Sequence, residues 1–485
     1  MSHIAICLLA DDRVFRQSGM VNWPSGGAAP GAPQRSSGTG EDDRARAARL
    51  LAEATSAIPP MGGDFARACT LAATARVLAH IDLDRAAGLA AEAERIARSL
   101  TSPGQSALAL IYVATALARV DPKHAVQLAD RAERAARSIS DEPVRADVLA
   151  LAADVLASTD RDRAARLADD AERAAQSITD EDRKTRALTY LVEIQAKLEP
   201  DRAARLADDA ERAAQSITDQ GRRTRALTYL VELQAKLDPD RAERIARSLP
   251  DEDSRASALT YVAEALAKTD SDRAEQIARS FTRKYTKATA LAGITRELAP
   301  TDPARAERIA QSIKEKDSQG SALLYVAEAM AATDPARAAR LAADAERIAR
   351  TYTARGAQGR RASALANVSR VLAQIDPEHA DELAAEAERV AQAITYPTPK
   401  YLQTGQSFYE HQKALDLSQV ARVLSSSDPD RAERIARSIT VEPEKANTLG
   451  VIIADTLREP DDDALDLFQG SRFAEQAILP VFFGG

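Results

Sequence analysis

Apolar residues along this chain fall at helical spacing, in paired segments that return with little change. Ala242, Ile245, Ala246 and Leu249 follow i, i+3, i+4, i+7 and form one stripe. The Asp238-Pro239 step ahead of them supplies a cap for free N–H groups and a residue preorganised for the first helical position. After a polar turn, Ala258, Leu259, Val262, Ala263 and Leu266 repeat helical spacing in a second segment. The pattern predicts a helical hairpin. Arg241, Arg244 and Arg247 fall mainly off the first stripe, and Glu243 precedes Arg247 by four residues, as in a weak surface pair.

The first segment recurs from Asp302-Pro303 to Ile313 and from Asp428-Pro429 to Ile439. Units start near residues 41, 82, 121, 160, 199, 238, 270, 302, 334, 376 and 428, and they fill 41–459. Those between 82 and 237 are 39 residues long, and those starting at 238, 270, 302 and 428 are 32. The seven-residue difference is the insert Leu206-Ala207-Asp208-Asp209-Ala210-Glu211-Arg212. Seven residues are close to two helical turns, so the insert lengthens the first helix without rotating its buried face. One hairpin cannot bury both stripes alone and must stack on its neighbours. The expected fold class is all-α: an α-solenoid, or superhelix, of about eleven helical hairpins. Its small Ala side chains predict helix axes at the short end of the ~8–10 Å range.

Composition agrees with closely packed helices. Aromatics are 4% against 45% hydrophobic, with Ala and Leu prominent, which disfavours β-sandwiches, barrels and Val/Ile-rich parallel sheets. The net charge of −8 is spread over 485 residues, and no clustered basic surface points to nucleic acid. No stretch approaches the ~20 apolar residues of a membrane span. The run Ile4–Ala10 lacks a basic flank and meets Asp11-Asp12, unlike a signal peptide. Cys7 and Cys69 are the two cysteines, and a reducing, cytoplasmic setting fits them better than a disulfide.

The ends and one interior stretch leave the repeat. Residues 1–40, with Ser25-Gly26-Gly27-Ala28-Ala29-Pro30-Gly31 and Trp23, read as a disordered tail. Residues 460–485 hold Phe468, Phe473, Phe482 and Phe483 and read as a C-terminal cap or a docking tail. The unit from 376 runs 52 residues, its excess falling around Tyr396–Tyr401 and Gln406–His411. That aromatic loop, with Tyr401, Phe408 and Tyr409, reads as a surface insertion packed on the next hairpin or as a clamp on a partner.

Catalytic, cofactor and metal motifs are not found: no phosphate loop, dinucleotide fingerprint, nucleophile elbow or zinc-protease signature. His3, His80, His124, His379 and His411 are scattered, and His124 and His379 stand where Arg usually follows Asp-Pro. Both read as surface substitutions. Asp461-Asp462-Asp463 lacks the spacing of a calcium loop. The informative polar feature is a ladder. Thr189, Glu193 and Lys197 recur as Thr228, Glu232 and Lys236, again as Thr260, Glu264 and Lys268, and Glu328 extends the Glu row. It reads either as a partner-binding track or as a solvated face with i,i+4 pairs worth ~0.2–0.5 kcal/mol each. Tyr112, Tyr190, Tyr229, Tyr261 and Tyr325 form a second row, placed to fill gaps between repeats. Units 160–198 and 199–237 are identical at 33 of 39 positions, which fits a length-tolerant function better than one catalytic pocket.

With Leu259, Val262, Ala263 and Leu266 at positions 4, 7, 8 and 11 of a helix, the pattern resembles the tetratricopeptide-repeat superfamily. Departures are the 32- or 39-residue period, Ala in place of Gly, and the missing terminal Pro. The resemblance implies peptide or protein binding in a groove, with the Thr/Glu/Lys ladder on the groove side. The leading expectation is a non-enzymatic scaffold for a protein or peptide partner. The alternatives are an enzyme or small-molecule sensor with a pocket formed by the 396–411 loop and the C-terminal region, and a self-assembling structural protein.

Overall fold

The computed structural model describes residues 63–79, 83–118, 120–157, 159–354, 357–394 and 405–441, with Lys445, Thr448, Leu449 and Ile452 beyond. The expected N-terminal tail, the C-terminal segment from 460 and the loop centre at 395–404 lie outside the described residues. The described residues form α-helices joined by short turns. They fall into two compact units, one ending at Leu266 and the other beginning at Ala267.

Unit one contains α1 (Asp64–Leu78), α2 (Leu83–Ser99), α3 (Pro103–Leu117), α4 (Pro122–Ala136), α5 (Glu142–Leu156), α6 (Arg161–Ser177), α7 (Glu181–Leu198), α8 (Pro200–Ser216), α9 (Gln220–Leu237), α10 (Pro239–Ser248) and α11 (Glu252–Leu266). Unit two contains α12 (Ser271–Ser280), α13 (Lys284–Leu298), α14 (Pro303–Ser312), α15 (Lys316–Met330), α16 (Pro335–Ala349), α17 (Gln358–Leu372), α18 (Pro377–Gln392), α19 (Gly405–Leu424) and α20 (Pro429–Arg437). Even-numbered helices are the first helices of the repeats and odd-numbered ones the second.

The repeat pattern sets these boundaries. Asp160, Asp238, Asp302 and Asp428 cap their helices, each carboxylate accepting the backbone N–H three residues on. Pro follows the cap at the start of α10, α14 and α20. The heptad expectation holds: α8 has 17 residues and α10 has 10, a difference of seven. Both still bury one stripe, Ala203, Leu206, Ala207, Ala210 and Ala214 in α8, and Ala242, Ile245 and Ala246 in α10.

Within each unit a second helix folds back on the first helix that follows it, as α5 does on α6 and α7 on α8. Second helices also pack directly on one another, α1 through α11 in unit one and α13 through α19 in unit two. Alanine makes that approach possible: Ala114, Ala152 and Ala153 are fully enclosed. In each unit the structure is thus a run of hairpins whose stripes are covered by their neighbours, as a solenoid requires.

Candidate functional site

Ion pairs link successive helices of the first-helix layer. In several repeats the Arg three residues after the cap of a first helix reaches back to a Glu on the preceding first helix. Arg163 meets Glu133 at 2.6 Å, Arg202 meets Glu172 at 2.7 Å and Arg241 meets Glu211 at 2.9 Å in unit one. Arg305 meets Glu275 at 2.7 Å, and Arg431 meets Glu388 at 3.0 Å, in unit two. Each Glu is gripped from its own helix as well, by Arg137 on Glu133 at 3.0 Å and by Gln176 on Glu172 at 3.0 Å. Hydrogen bonds to Glu133 and Asp130 raise the pKa of Arg163, and hydrogen bonds to Asp272 and Glu275 raise that of Arg305, against the opposing effect of burial.

The surface reading of the off-stripe charges holds for Arg244 and Arg247, which are exposed, and the expected Glu243–Arg247 pair forms. It fails for Arg241 and Glu243, which are buried, at 7% and 2% exposure, because neighbouring first helices cover them. His124 and His379 also take part: Nε2 of each lies 2.9 Å from Glu94 and Glu346 respectively, in the place of the guanidinium. Burial alone would raise the Glu346 carboxyl, but hydrogen bonds from His379 and Arg350 hold it below its usual range. The Glu346 hydrogen bond in turn raises His379.

The ladder lies on the second-helix layer, and its three rows fare differently. Thr189 is fully buried, so it offers nothing to a partner. Its hydroxyl donates to the Thr185 carbonyl at 2.6 Å. Thr228 and Thr260 are half-buried and make the same turn-back bonds, to Thr224 and Ala256 at 2.8 Å. Lys197 pairs with Asp154 of the preceding second helix at 3.3 Å, and Lys268 with Glu297 of α13 at 3.1 Å. Lys236 is exposed. Glu328 accepts both amino groups of Arg370 on α17, at 2.6 and 2.9 Å.

Glu193, Glu232 and Glu264 remain half-buried on α7, α9 and α11. Each stands six residues before the cap of the following helix, a register that Asp154 occupies on α5. Unit one therefore carries four carboxylates in one register on four successive second helices. In unit two the same register holds Arg296, Glu328, Arg370 and Arg422. Tyr190 and Tyr325 of the tyrosine row are buried, as gap-filling requires, while Tyr112, Tyr229 and Tyr261 are half-buried.

Titratable groups gather beside this register in unit one. Burial pushes the half-buried Asp147 carboxyl up to about 7, Arg186 opposing it and Asp141 adding to it. Tyr112 is held far above the usual tyrosine range, first by burial and then by Cys69 and Asp147, and its hydroxyl has no hydrogen-bond partner. Burial pushes the free Cys69 thiol up to about 12, so it is a protonated thiol at neutral pH rather than a nucleophile. Sequence reasoning singled out neither Asp147 nor this gathering. The signal was an Asp in a helical position where the aligned repeats carry Leu108, Arg186, Arg225 or Ser257.

Of the aromatic loop, Tyr401 lies outside the described residues, as do the side chains of Phe408 and Tyr409, whose backbone belongs to the first turn of α19. Among the described residues no group of three or more His, Cys, Asp or Glu converges as a metal site would. None of their helices is long and apolar enough to cross a membrane.

No family model matches the chain, and no curated protein matches it. Among solved structures, Ton1535 from Thermococcus onnurineus NA1 is similar at 16% identity and TM-score 0.31, over 78% of this chain and 98% of that one. A signal transduction ATPase with numerous domains from Pyrococcus horikoshii, which has a tetratricopeptide repeat sensor, is similar at 13% identity and TM-score 0.22. That match covers 79% of this chain and 53% of the other. A circular tandem repeat protein with novel repeat topology is similar at 14% identity and TM-score 0.17, over 90% of this chain and 98% of that one. At such scores these likenesses carry no argument about function. The chain is an all-helical repeat protein on the strength of its own hairpins.

Proposed function

We propose that this chain is a non-enzymatic, cytoplasmic helical-repeat scaffold that binds a protein partner along the second-helix layer of unit one. One observation carries the reading: Asp154, Glu193, Glu232 and Glu264 present half-buried carboxylates in one register on α5, α7, α9 and α11. A row of one sign at a regular helix-to-helix step suits an extended basic segment, recognised by several weak contacts instead of one pocket. Thr189, being enclosed, drops out of the binding track, and the Glu row becomes its centre.

The test is affinity capture with the wild-type chain and with Glu193→Lys, Glu232→Lys and Glu264→Lys combined, followed by titration of any partner enriched. The reversed row should bind at least about tenfold more weakly, with a shallower salt dependence. Equal affinity and equal salt dependence would remove the row from partner binding.

A further inference from the structure

Unit two departs from the repeat at the turn between α16 and α17, and the departure opens a cleft. After four other first helices the turn is three residues: 178–180, 217–219, 249–251 and 313–315. Its leading side chain, Ile178, Ile217, Leu249 or Ile313, is buried like a plug. Between α16 and α17 the turn spans 350–357, and the plug position is taken by Tyr352, which stays half-exposed. The Tyr352 hydroxyl bonds Asp317, and the Arg360 guanidinium sits 5.8 Å from its ring centre. The space left beside α18 is a cleft of about 420 Å³, lined by Tyr352, Thr353, Arg361, Glu386, Arg389 and Val390 among others. That volume is in the range of small-molecule sites.

Donors outnumber acceptors there. Glu386 is already matched, accepting Arg361 Nη2 at 2.5 Å with Arg350 Nη2 at 3.6 Å. Arg361 Nε is buried and has no hydrogen-bond partner. Arg389 is exposed at the rim, and its Nε donates only to the Ala385 carbonyl at 3.3 Å. The Thr353 hydroxyl adds a further polar group, and Val390 offers an apolar wall. Two guanidiniums facing a cleft whose one carboxylate is spent favour an oxyanion.

We propose that this cleft binds a small organic anion, a carboxylate or a phosphate, gripped by Arg361 and Arg389 with its carbon body against Val390. The site is independent of the partner-binding row in unit one, and neither proposal stands or falls with the other. Succinate and inorganic phosphate are the probes for the two forms of the anion, titrated calorimetrically into the full chain at constant ionic strength. Saturable binding of at least one probe is expected, and which one binds distinguishes carboxylate from phosphate. Arg389→Gln should weaken it by roughly tenfold or more, the loss of one charged hydrogen-bonding group. Arg361→Lys, which keeps the charge but removes the planar fork of donors, should weaken it similarly. Arg173→Gln, in unit one, should leave it unchanged. If Arg361→Lys does not fold, Arg389→Gln alone decides, because that side chain is exposed. No saturable uptake of either probe, wild-type affinity in Arg389→Gln, or an equal loss in Arg173→Gln would overturn the assignment.

Discussion

The last turn of each second helix reserves one position for a large apolar side chain. Leu117, Leu156, Leu266, Leu298, Met330, Leu372 and Leu424 fill it and are buried. Gln195 on α7 and Gln234 on α9 stand in the same register, four residues before the next cap. Gln195 is 0% exposed, and neither its Nε2 nor its Oε1 has a hydrogen-bond partner; Gln234 is 2% exposed and its Nε2 has none. An unpaired buried polar group costs about 1–3 kcal/mol. Gln195→Leu restores the residue that α5 and α11 accommodate without strain, at similar volume. It should stabilise the α7 region by about 1–3 kcal/mol, and Gln234→Leu by less, since only one of its amide atoms is orphaned. In a repeat array the gain is local, so the readout is hydrogen exchange of α7 amides, supported by urea unfolding followed by circular dichroism. A fall in the opening free energy of α7, or no change in it, would refute the reasoning and mean that the amide is satisfied in solution.

Two further perturbations test unit two. His379 is raised by its hydrogen bond to Glu346, with burial opposing and with Glu382 and Asp376 adding negative charge nearby. A raised folded-state pKa means that this staple is complete below the unfolded histidine value of about 6.5 and is lost as pH rises through the folded one. Exchange protection of α18 should therefore drop between mildly acidic and alkaline pH. His379→Arg should flatten that drop, and an unchanged pH slope in the variant would refute the assignment. Gly359, early in α17, is the second case: a methyl group there would run into the carboxylate of Asp416, a buried side chain on α19. Gly359→Ala should destabilise this hairpin pair on the order of 1–3 kcal/mol. Thermal unfolding reads it, and recovery in an Asp416→Ala background separates collision from a general cost of alanine.

What the sequence revealed and what it hid divide along a physical line. Helix existence, capping and the seven-residue insert were legible because each depends on residues near one another in the chain, as at Asp238 and in the Leu206–Arg212 segment. The burial of Arg241, Glu243 and Thr189 was not legible. It depends on which neighbouring helix covers a face, and an off-stripe Arg looks the same whether water or a Glu 30 residues upstream receives it. Gln195 was within reach, since a Gln where the other repeats carry Leu or Met is visible once the units are aligned. The α16–α17 cleft was harder: Tyr352 in a plug register gains meaning only when its side chain is seen to stay half-exposed beside the cleft.

The staple spacing connects architecture to the proposed function. Glu172 of a 39-residue unit and Arg202 of the next are 30 residues apart, and so are Glu275 of a 32-residue unit and Arg305 of the next. The separation holds because the extra heptad lies before the acceptor Glu, so lengthening a first helix leaves its link to the next one intact. Units of either length can therefore follow one another without breaking the first-helix layer. Second helices vary less in length and keep the Asp154–Glu264 register from one hairpin to the next. Changes in unit size and duplications such as 160–198 and 199–237 are thus absorbed on one layer, while the carboxylate row is copied in step on the other. A scaffold that reads a partner through repeated weak contacts needs that division between a tolerant layer and a register-keeping one.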